Sequence, residues 1–305
     1  MKQTSSRSIR PFRQEDMPLL GELYQAITTQ GNAIFWWIGE KEHWENVYCA
    51  FENGKMVAKG QVSIINTVPP GRPTENYHSI YINLKALPQR ETDYDLLDQV
   101  YQALLQRVRQ LQATLPAAYE TRLCVGNLKE ETANEEFFVQ RGFNYLNSLF
   151  SMSRSLKEAI PTAAIPNGLS YSPWSMGTPE EESIYLNIEA EVWPDTPLGH
   201  DRLAKYKSKP YWISLVVREE DQIVASLMVW QEAGYGVIEN VFVRKPWRQR
   251  GIAKYLLAQA LSYLQARDLP YASLMALTTN HSALTLYQSL GFTADQEEIR
   301  YFITL

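Results

Sequence analysis

The chain has 305 residues, 45% of them hydrophobic and 12% aromatic, with a formal net charge of -5. That length and apolar content allow one large domain or two of ordinary size with buried cores, and the acidic balance excludes the broad basic surface that grips a nucleic-acid backbone. The longest apolar stretches, such as WISLVV and SLMVW, fall far short of the ~20 residues of a membrane helix. MKQTSSRSIRPF lacks the apolar core of a signal peptide, so a soluble cytoplasmic protein with no nucleic-acid or membrane partner is expected. Cys49 and Cys124 sit in strand-like apolar runs and read as small buried hydrophobes, not as a disulfide framework.

In chain order, a short strand (SIRPF) leads to an acidic helix (QEDMPLLGELYQAI) and an aromatic-rich connection (NAIFWWIGEKEHW). A hairpin, NVYCAFENGKMVAKGQVSI, follows, and Asn53 and Gly54 mark its turn. DYDLLDQVYQALLQRVRQLQ carries leucines and aromatics at helical spacing. A strand, a short helix ending in Gly-Phe and a last strand, within EEFFVQRGFNYLNSLFSM, close this half. KEAIPTAAIPNG combines small residues with two prolines and a glycine and reads as a linker.

The same order then repeats. LSYSPW is a strand, PEEESIYLNIEAEVW an acidic helix, and YWISLVVREEDQIVASLMVW a hairpin turning near Glu220 and Asp221. GIAKYLLAQALSYLQARD is the long helix, and LTLYQSLGFTADQEEIRYFIT the matching end. The repetition predicts an internally duplicated α+β unit: domains at 7–156 and 168–305, a linker at 157–167, and in each a mixed, mostly antiparallel sheet flanked by helices.

The strand GVIENVFVR stops at Pro246, so the turn PWRQRG feeds the N-terminus of the long helix. A helix start has unpaired amides and the positive end of the macrodipole, and a glycine lets a ligand approach them. With Arg248 and Arg250 beside Gly251 and Ala253, a phosphate or pyrophosphate is the natural occupant. An ordinary exposed helix start is the alternative reading of the turn alone.

With Arg248, Gln249, Arg250, Gly251, Ile252 and Ala253 in that order, residues 168–305 resemble the GNAT superfamily of acyl-CoA-dependent N-acetyltransferases. That family's acetyl-CoA loop reads Arg or Gln, any two, Gly, any, Gly or Ala. The resemblance takes in Val243 at the end of the preceding strand, Asn280 after YASLMAL, and the closing LYQSLGF. It implies that the amides from Gln249 to Lys254 cradle the pyrophosphate of acetyl-CoA and that the pantetheine arm pairs with the strand edge Val241–Val243. An amide of Phe242 or Val243 would then face the acetyl carbonyl. Asn280 either bonds the pantetheine or fixes its own turn. Tyr287 stands where the family places the phenol that protonates the departing thiolate.

Glu239 is expected on the same face as Val241 and Val243 by the period of two, as the base that deprotonates the amine. A strand glutamate on a solvated face is the equal alternative. His200 is a further possible base, and Trp193 and Asp195 in EVWPDTPLGHDRL are expected near the acceptor. No metal site is expected, since the four histidines are scattered.

The first half has no glycine at the corresponding turn, KALPQRETDYDLL, and sets Glu91, Asp93 and Asp95 in place of the cradle. Phe138 there corresponds to Tyr287. The first domain is therefore expected to keep the fold without the acetyl-CoA site, in a tandem arrangement similar to that of the mycothiol-synthase type. The function expected is acetyl transfer from acetyl-CoA to a primary amine of a small molecule or peptide, by a monomer or homodimer. The alternative is a non-catalytic acyl-CoA-binding module. Aminoacyl transfer is a third reading, disfavoured by the lack of a basic surface for tRNA.

Overall fold

A computed structural model describes residues 7–30, 33–194, 196 and 198–305. Two compact units emerge. The first runs up to Ser148 and adds Glu298–Leu305, and the second is Leu149–Glu297.

In the first unit, β1 (Ser8–Pro11) and α1 (Met17–Gln30) precede the hairpin of β2 (Val47–Glu52) and β3 (Lys55–Asn66). Asn53 and Gly54 take positive φ values of 50° and 75°, the backbone that a two-residue hairpin turn requires. β4 (Tyr77–Ala86), α2 (Tyr94–Gln112) and β5 (Glu120–Leu128) form a parallel crossover, and α3 (Thr132–Val139) follows. With β12 (Thr293–Thr304) at its end, the sheet order is β1-β2-β3-β4-β5-β12, antiparallel except for β4 with β5. α2 buries Leu96, Leu97, Val100 and Leu104 on one face of this sheet with Phe137 and Phe138 of α3. α1 covers the other face through Leu20, Leu23 and Ile27.

The second unit repeats the plan. It contains β7 (Leu169–Trp174), α4 (Pro179–Val192), β8 (Ile213–Glu219), β9 (Gln222–Glu232), β10 (Tyr235–Val243), α6 (Ile252–Gln265), β11 (Tyr271–Leu277) and α7 (His281–Ser289). A short helix the sequence did not announce, α5 (His200–Lys207), occupies the connection after α4. α6 and α7 pack Leu256, Leu257, Leu261, Tyr287 and Phe292 on one face of the sheet. α4 and α5 place Tyr185 and Leu203 with Trp230 and Phe242 on the other. Close packing of α6 rests on Gly236, where a Cβ would lie 2.6 Å from Leu264.

The closing strands are exchanged in sequence. β6 (Asn144–Ser155), which ends the first half, pairs antiparallel with β11 from Leu149 to Ser155. β12 (Thr293–Thr304), which ends the second, pairs antiparallel with β5 from Glu298 to Thr304. The duplicated Gly-Phe ends are alike to the hydrogen bond: Phe143 N donates to Phe138 O at 3.2 Å and Phe292 N to Tyr287 O at 3.1 Å. Both cysteines are free and buried, as expected. Among the described residues no helix is long and apolar enough to cross a membrane, and none form a cluster of His, Cys, Asp and Glu able to hold a metal.

Candidate active site

The turn between β10 and α6 has the local chemistry its sequence suggested. Pro246 lies in a single 3-10 turn, Lys245–Trp247, and the chain then passes through positive φ at Gln249 (63°) and Gly251 (80°). Gly251 is the N-cap of α6 and has no side chain to offer its amides. A Cβ built there meets nothing within 4 Å, and as first-turn residues Ile252, Ala253 and Lys254 have amides without an intrahelical acceptor. Arg248, Gln249 and Arg250 are exposed around them. Arg248 Nε donates to Val243 O at 2.9 Å, tying the turn to the strand end. Arg250 is 3.8 Å from Glu219, which also accepts from Trp247 Nε1 at 3.0 Å. The site fits a diphosphate: concentrated amide donors, two guanidinium groups, and room where only glycine stands.

Beside this turn the sheet opens. β10 pairs with β11 at Gly236 and Val237 alone, leaving the rest of that edge of β10 unpaired. On its other edge β10 pairs with β9 through a bulge between Glu239 and Phe242, and Asn240 within it has φ of 51°. The bulge corrects the period-of-two expectation for Glu239. Ile238 faces α6, as Val241 and Val243 do after the bulge, whereas Phe242 faces α4. One extra residue flips the alternation, so Glu239 lies on the opposite face from Val241 and Val243 and shares the face of Phe242.

Glu239 is half-buried there. Burial raises its carboxyl above the ordinary range, while Arg202 and the Asn240 amide oppose the rise. Tyr287 comes from α7 on the other side and is buried in the α6 core, its ring 6.1 Å from Phe292. Burial, and secondly the Glu239 carboxylate, push its phenol up to about 12. The two side chains thus sense each other across the splayed strands.

Asn280 takes the turn-fixing role: its Oδ1 accepts from Ala283 N at 3.2 Å as the N-cap of α7. Trp193, at the end of α4, packs edge-on to Phe242 at 5.7 Å. His200 is exposed at the first residue of α5. Asp195 lies outside the described residues.

Four residues the sequence reading did not single out surround Glu239. Asn240 Nδ2 donates to Tyr185 Oη at 3.4 Å. Tyr206 stacks on Trp230 at 4.7 Å, and its phenol is raised by burial and then by Glu239. Arg202 is the cation nearest in effect to Glu239. Arg202 and Tyr206 ride on α5, and a helix of eight residues within a loop-like stretch gave no periodic signal strong enough to find them.

The corresponding place in the first unit is filled by the chain itself. The N-cap of α2 is Asp93, whose carboxylate accepts from Leu96 N at 3.0 Å. β4 pairs with β3 without a break from Ile80 to Ala86, so it has no bulge like that of β10. Where β4 and β5 part, buried Lys85 donates to Asn127 Oδ1 at 3.1 Å and pairs with Glu131. Asn134 Nδ2 takes the Leu84 carbonyl at 2.6 Å.

Residues 179–292 match the model of the acetyltransferase (GNAT) family. A mycothiol acetyltransferase of Renibacterium salmoninarum is 28% identical over 187 residues, covering 55% of this chain and 54% of that protein. The chain thus matches about half the length of that relative. Among solved structures, a GCN5-related N-acetyltransferase from Sphaerobacter thermophilus superposes with a TM-score of 0.76 at 18% identity, over 98% of this chain and 95% of the other. A tandem GNAT protein from the clavulanic acid biosynthesis pathway superposes with a TM-score of 0.65 at 13% identity, over 98% of each chain. The GNAT resemblance read from the loop therefore holds, and the fold is a tandem GNAT fold.

Proposed function

We propose that the second unit binds acetyl-CoA and transfers its acetyl group to a primary amine of a small molecule or peptide, and that the first unit keeps the fold without a cofactor site. The observation that carries this reading is the uncapped start of α6 beside a bulged, splayed β10, with Glu239 and Tyr287 at the opening. The match of residues 179–292 to an acetyltransferase family model supports it.

In this mechanism the amides from Gln249 to Lys254 hold the diphosphate, with Arg248 and Arg250 adding charge. Acetyl-CoA supplies the acetyl group: a C–N bond to the amine forms as the thioester C–S bond breaks. The amide of Phe242 or Val243, on the open edge of β10, donates to the carbonyl oxygen as it gains charge. Glu239 takes the proton that the amine gives up, directly or through water, and its raised pKa suits a base working near neutrality. Tyr287 donates to the departing sulfur.

A phenol near 12 is a weak acid toward a thiolate of about 8.5. Part of that elevation comes from the Glu239 charge, however. Once Glu239 has taken the amine's proton, that push is gone and Tyr287 becomes the stronger donor when sulfur leaves. The proton taken at one residue thus eases the proton given at the other.

The test is calorimetry with acetyl-CoA followed by thiol release and mass-spectrometric product identification over a panel of amines. One acetyl-CoA per chain with amine-dependent thiol release is expected. Binding without turnover on any amine would instead favour a non-catalytic module.

A further inference from the structure

Residues 33–39 of the first unit form neither helix nor strand, yet the main chain of Ile34 and Trp36 is fully engaged, and every partner is a side chain. Glu131 Oε2 accepts from Ile34 N at 3.3 Å, and Asn83 Nδ2 donates to Ile34 O at 2.7 Å. Asn83 Oδ1 accepts from Trp36 N at 3.1 Å, and Lys59 Nζ donates to Trp36 O at 2.5 Å. Lys59 and Asn83 stand on the neighbouring strands β3 and β4, so the segment lies as a strap across the sheet face that α1 also covers, with Ala33 and Phe35 packed against the α1 cluster. Lifting the strap breaks no strand ladder. Trp37 is already 49% exposed, while Ile38 is buried and fixes the far end. Gly39 follows at φ of 68°, a backbone free to act as the pivot.

Lys59 sets the chemistry of this clasp. It is fully buried, and among the described residues no carboxylate pairs with it. Its partners are neutral: Trp36 O, Gln61 Oε1 at 2.5 Å, and the ring of Phe35, 4.9 Å from Nζ. Two of these three belong to the strap. The titratable neighbour is Cys49 on β2, whose thiol burial pushes up to about 12, so it carries no charge near neutrality. Beyond it Asp16 and Arg10 pair with each other. From α1 only apolar Leu20, Leu23 and Ile27 join the cluster on this side, and at the other end of the strap Glu131 is paired with Lys85. Burial, weakly opposed by Cys49, brings the Lys59 ammonium down to about 7.

We infer that residues 33–37 are a latch on the first unit that closes over neutral Lys59 and lifts when Lys59 takes up a proton. A neutral amine donates to Trp36 O at little cost, whereas an ammonium in the same place is a desolvated charge without a counter-charge. Lifting the strap lets water reach it. The closed state therefore binds the proton less tightly than the open one, and proton uptake favours opening. The closed latch has its full stability above the ordinary lysine value of 10.5 and loses it as pH falls toward about 7. Opening uncovers Lys59, Gln61 and Asn83, a polar floor beside the α1 cluster. The latch lies wholly within the first unit and is independent of acetyl transfer in the second.

Quenched-pulse hydrogen exchange on the full chain reads the latch at the amides of Ile34 and Trp36, each rate divided by its intrinsic value at that pH. Gly60, in β3 with a paired strand on either side, is the reference for opening of the whole unit. In the wild type both strap amides should be protected at least tenfold less than Gly60. Their protection should rise roughly fiftyfold from pH 7 to pH 9, the linkage of one proton whose pKa changes from 10.5 to about 7. Lys59→Met keeps the length of the side chain and removes the proton site, so its strap protection should stay constant over that range. Strap amides protected as well as Gly60 would mean that the segment opens only with the whole unit, and wild-type protection constant with pH would mean that no proton acts on it. Either result overturns the latch, and both are read from the wild type alone, whether or not the variant folds. A rise in Lys59→Met equal to that of the wild type would overturn it as well, by assigning the titration to another group.

Discussion

Two helices with the same place in the duplicated plan start in opposite ways. α2 begins with Asp93, whose carboxylate accepts from the first-turn amide of Leu96, inside a network in which Arg90 and Arg7 hold Glu52. α6 begins with Gly251, which occupies nothing. The same helix start is therefore a self-satisfied cap in one unit and, in the other, an uncapped start that we propose holds an anion. The strands beside them differ in the same sense: β10 is bulged and open, while β4 is regular and its opening is filled by Lys85, Glu131 and Asn134. A fold can be kept while its site is lost, because the groups that close the site also satisfy the backbone that a ligand would otherwise satisfy.

The largest effect expected from breaking this contrast is at Gly251. With φ of 80° it stands where a β-branched residue is strained, and its added side chain would enter the space in front of the α6 amides. Gly251→Val should abolish measurable acetyl-CoA binding in calorimetry and turnover with it. Two equivalent sites in the wild type, one surviving the substitution, would end the claim that the first unit is closed.

Next is Glu239→Gln, expected to lower kcat/KM by roughly a hundredfold or more, the range for removing a general base. The sign of the pH dependence follows from the raised pKa. A base must be deprotonated, so wild-type activity should fall as pH drops through a value above the ordinary 4.5. The glutamine variant should lose that limb. A rate profile flat down to pH 4.5 would remove Glu239 from proton transfer.

Tyr287→Phe is expected to lower turnover by about a hundredfold with acetyl-CoA affinity and melting temperature nearly unchanged. The fold already accepts this ring at the matching position: Phe138 sits 5.1 Å from Phe143 beside a turn of the same hydrogen-bond pattern. Unchanged turnover would leave protonation of sulfur to solvent, and a collapsed melting temperature would make the hydroxyl structural.

Much of this was legible in the sequence because it is written locally. Asn53-Gly54 forces a hairpin turn, and the leucine spacing of both long helices gives their buried faces. Arg248 to Ala253 spells the uncapped, glycine-containing start of α6, the proposed cradle, in six consecutive residues. What stayed hidden depends on partners far apart in the chain. A strand pattern in β6 or β12 states that a strand exists, not which edge it joins, so the exchange of closing strands could not be read. GVIENVFVR alternates on paper, and the bulge at Asn240 that turns Glu239 to the other face shows only in the register with β9. Lys85 and Glu131 are 46 positions apart, so the plug they form was invisible even though the loss of the glycine beside it was plain.

The smallest effect tests the closed unit itself. Arg90 lies in the turn before α2, where its guanidinium binds Glu52 and Asp93 at 2.8 and 2.6 Å. Arg90→Ala should therefore leave acetyl-CoA stoichiometry and affinity unchanged while costing about 1–2 kcal/mol of stability at neutral pH, the scale of a partly buried charge-assisted pair. Glu52 gives the sign of the pH dependence. Hydrogen bonds from Arg90 and then Arg7 depress its pKa from 4.5 to about 2, so the folded state holds fewer protons than the unfolded chain between those values. The stabilisation is fully present above about 4.5 and is lost as pH falls toward 2. Chemical denaturation of wild type and variant across that range should show their stability gap narrowing as pH falls. A gap independent of pH would mean that Arg90 contributes by packing, and a drop in acetyl-CoA affinity would mean that the first unit takes part in binding after all.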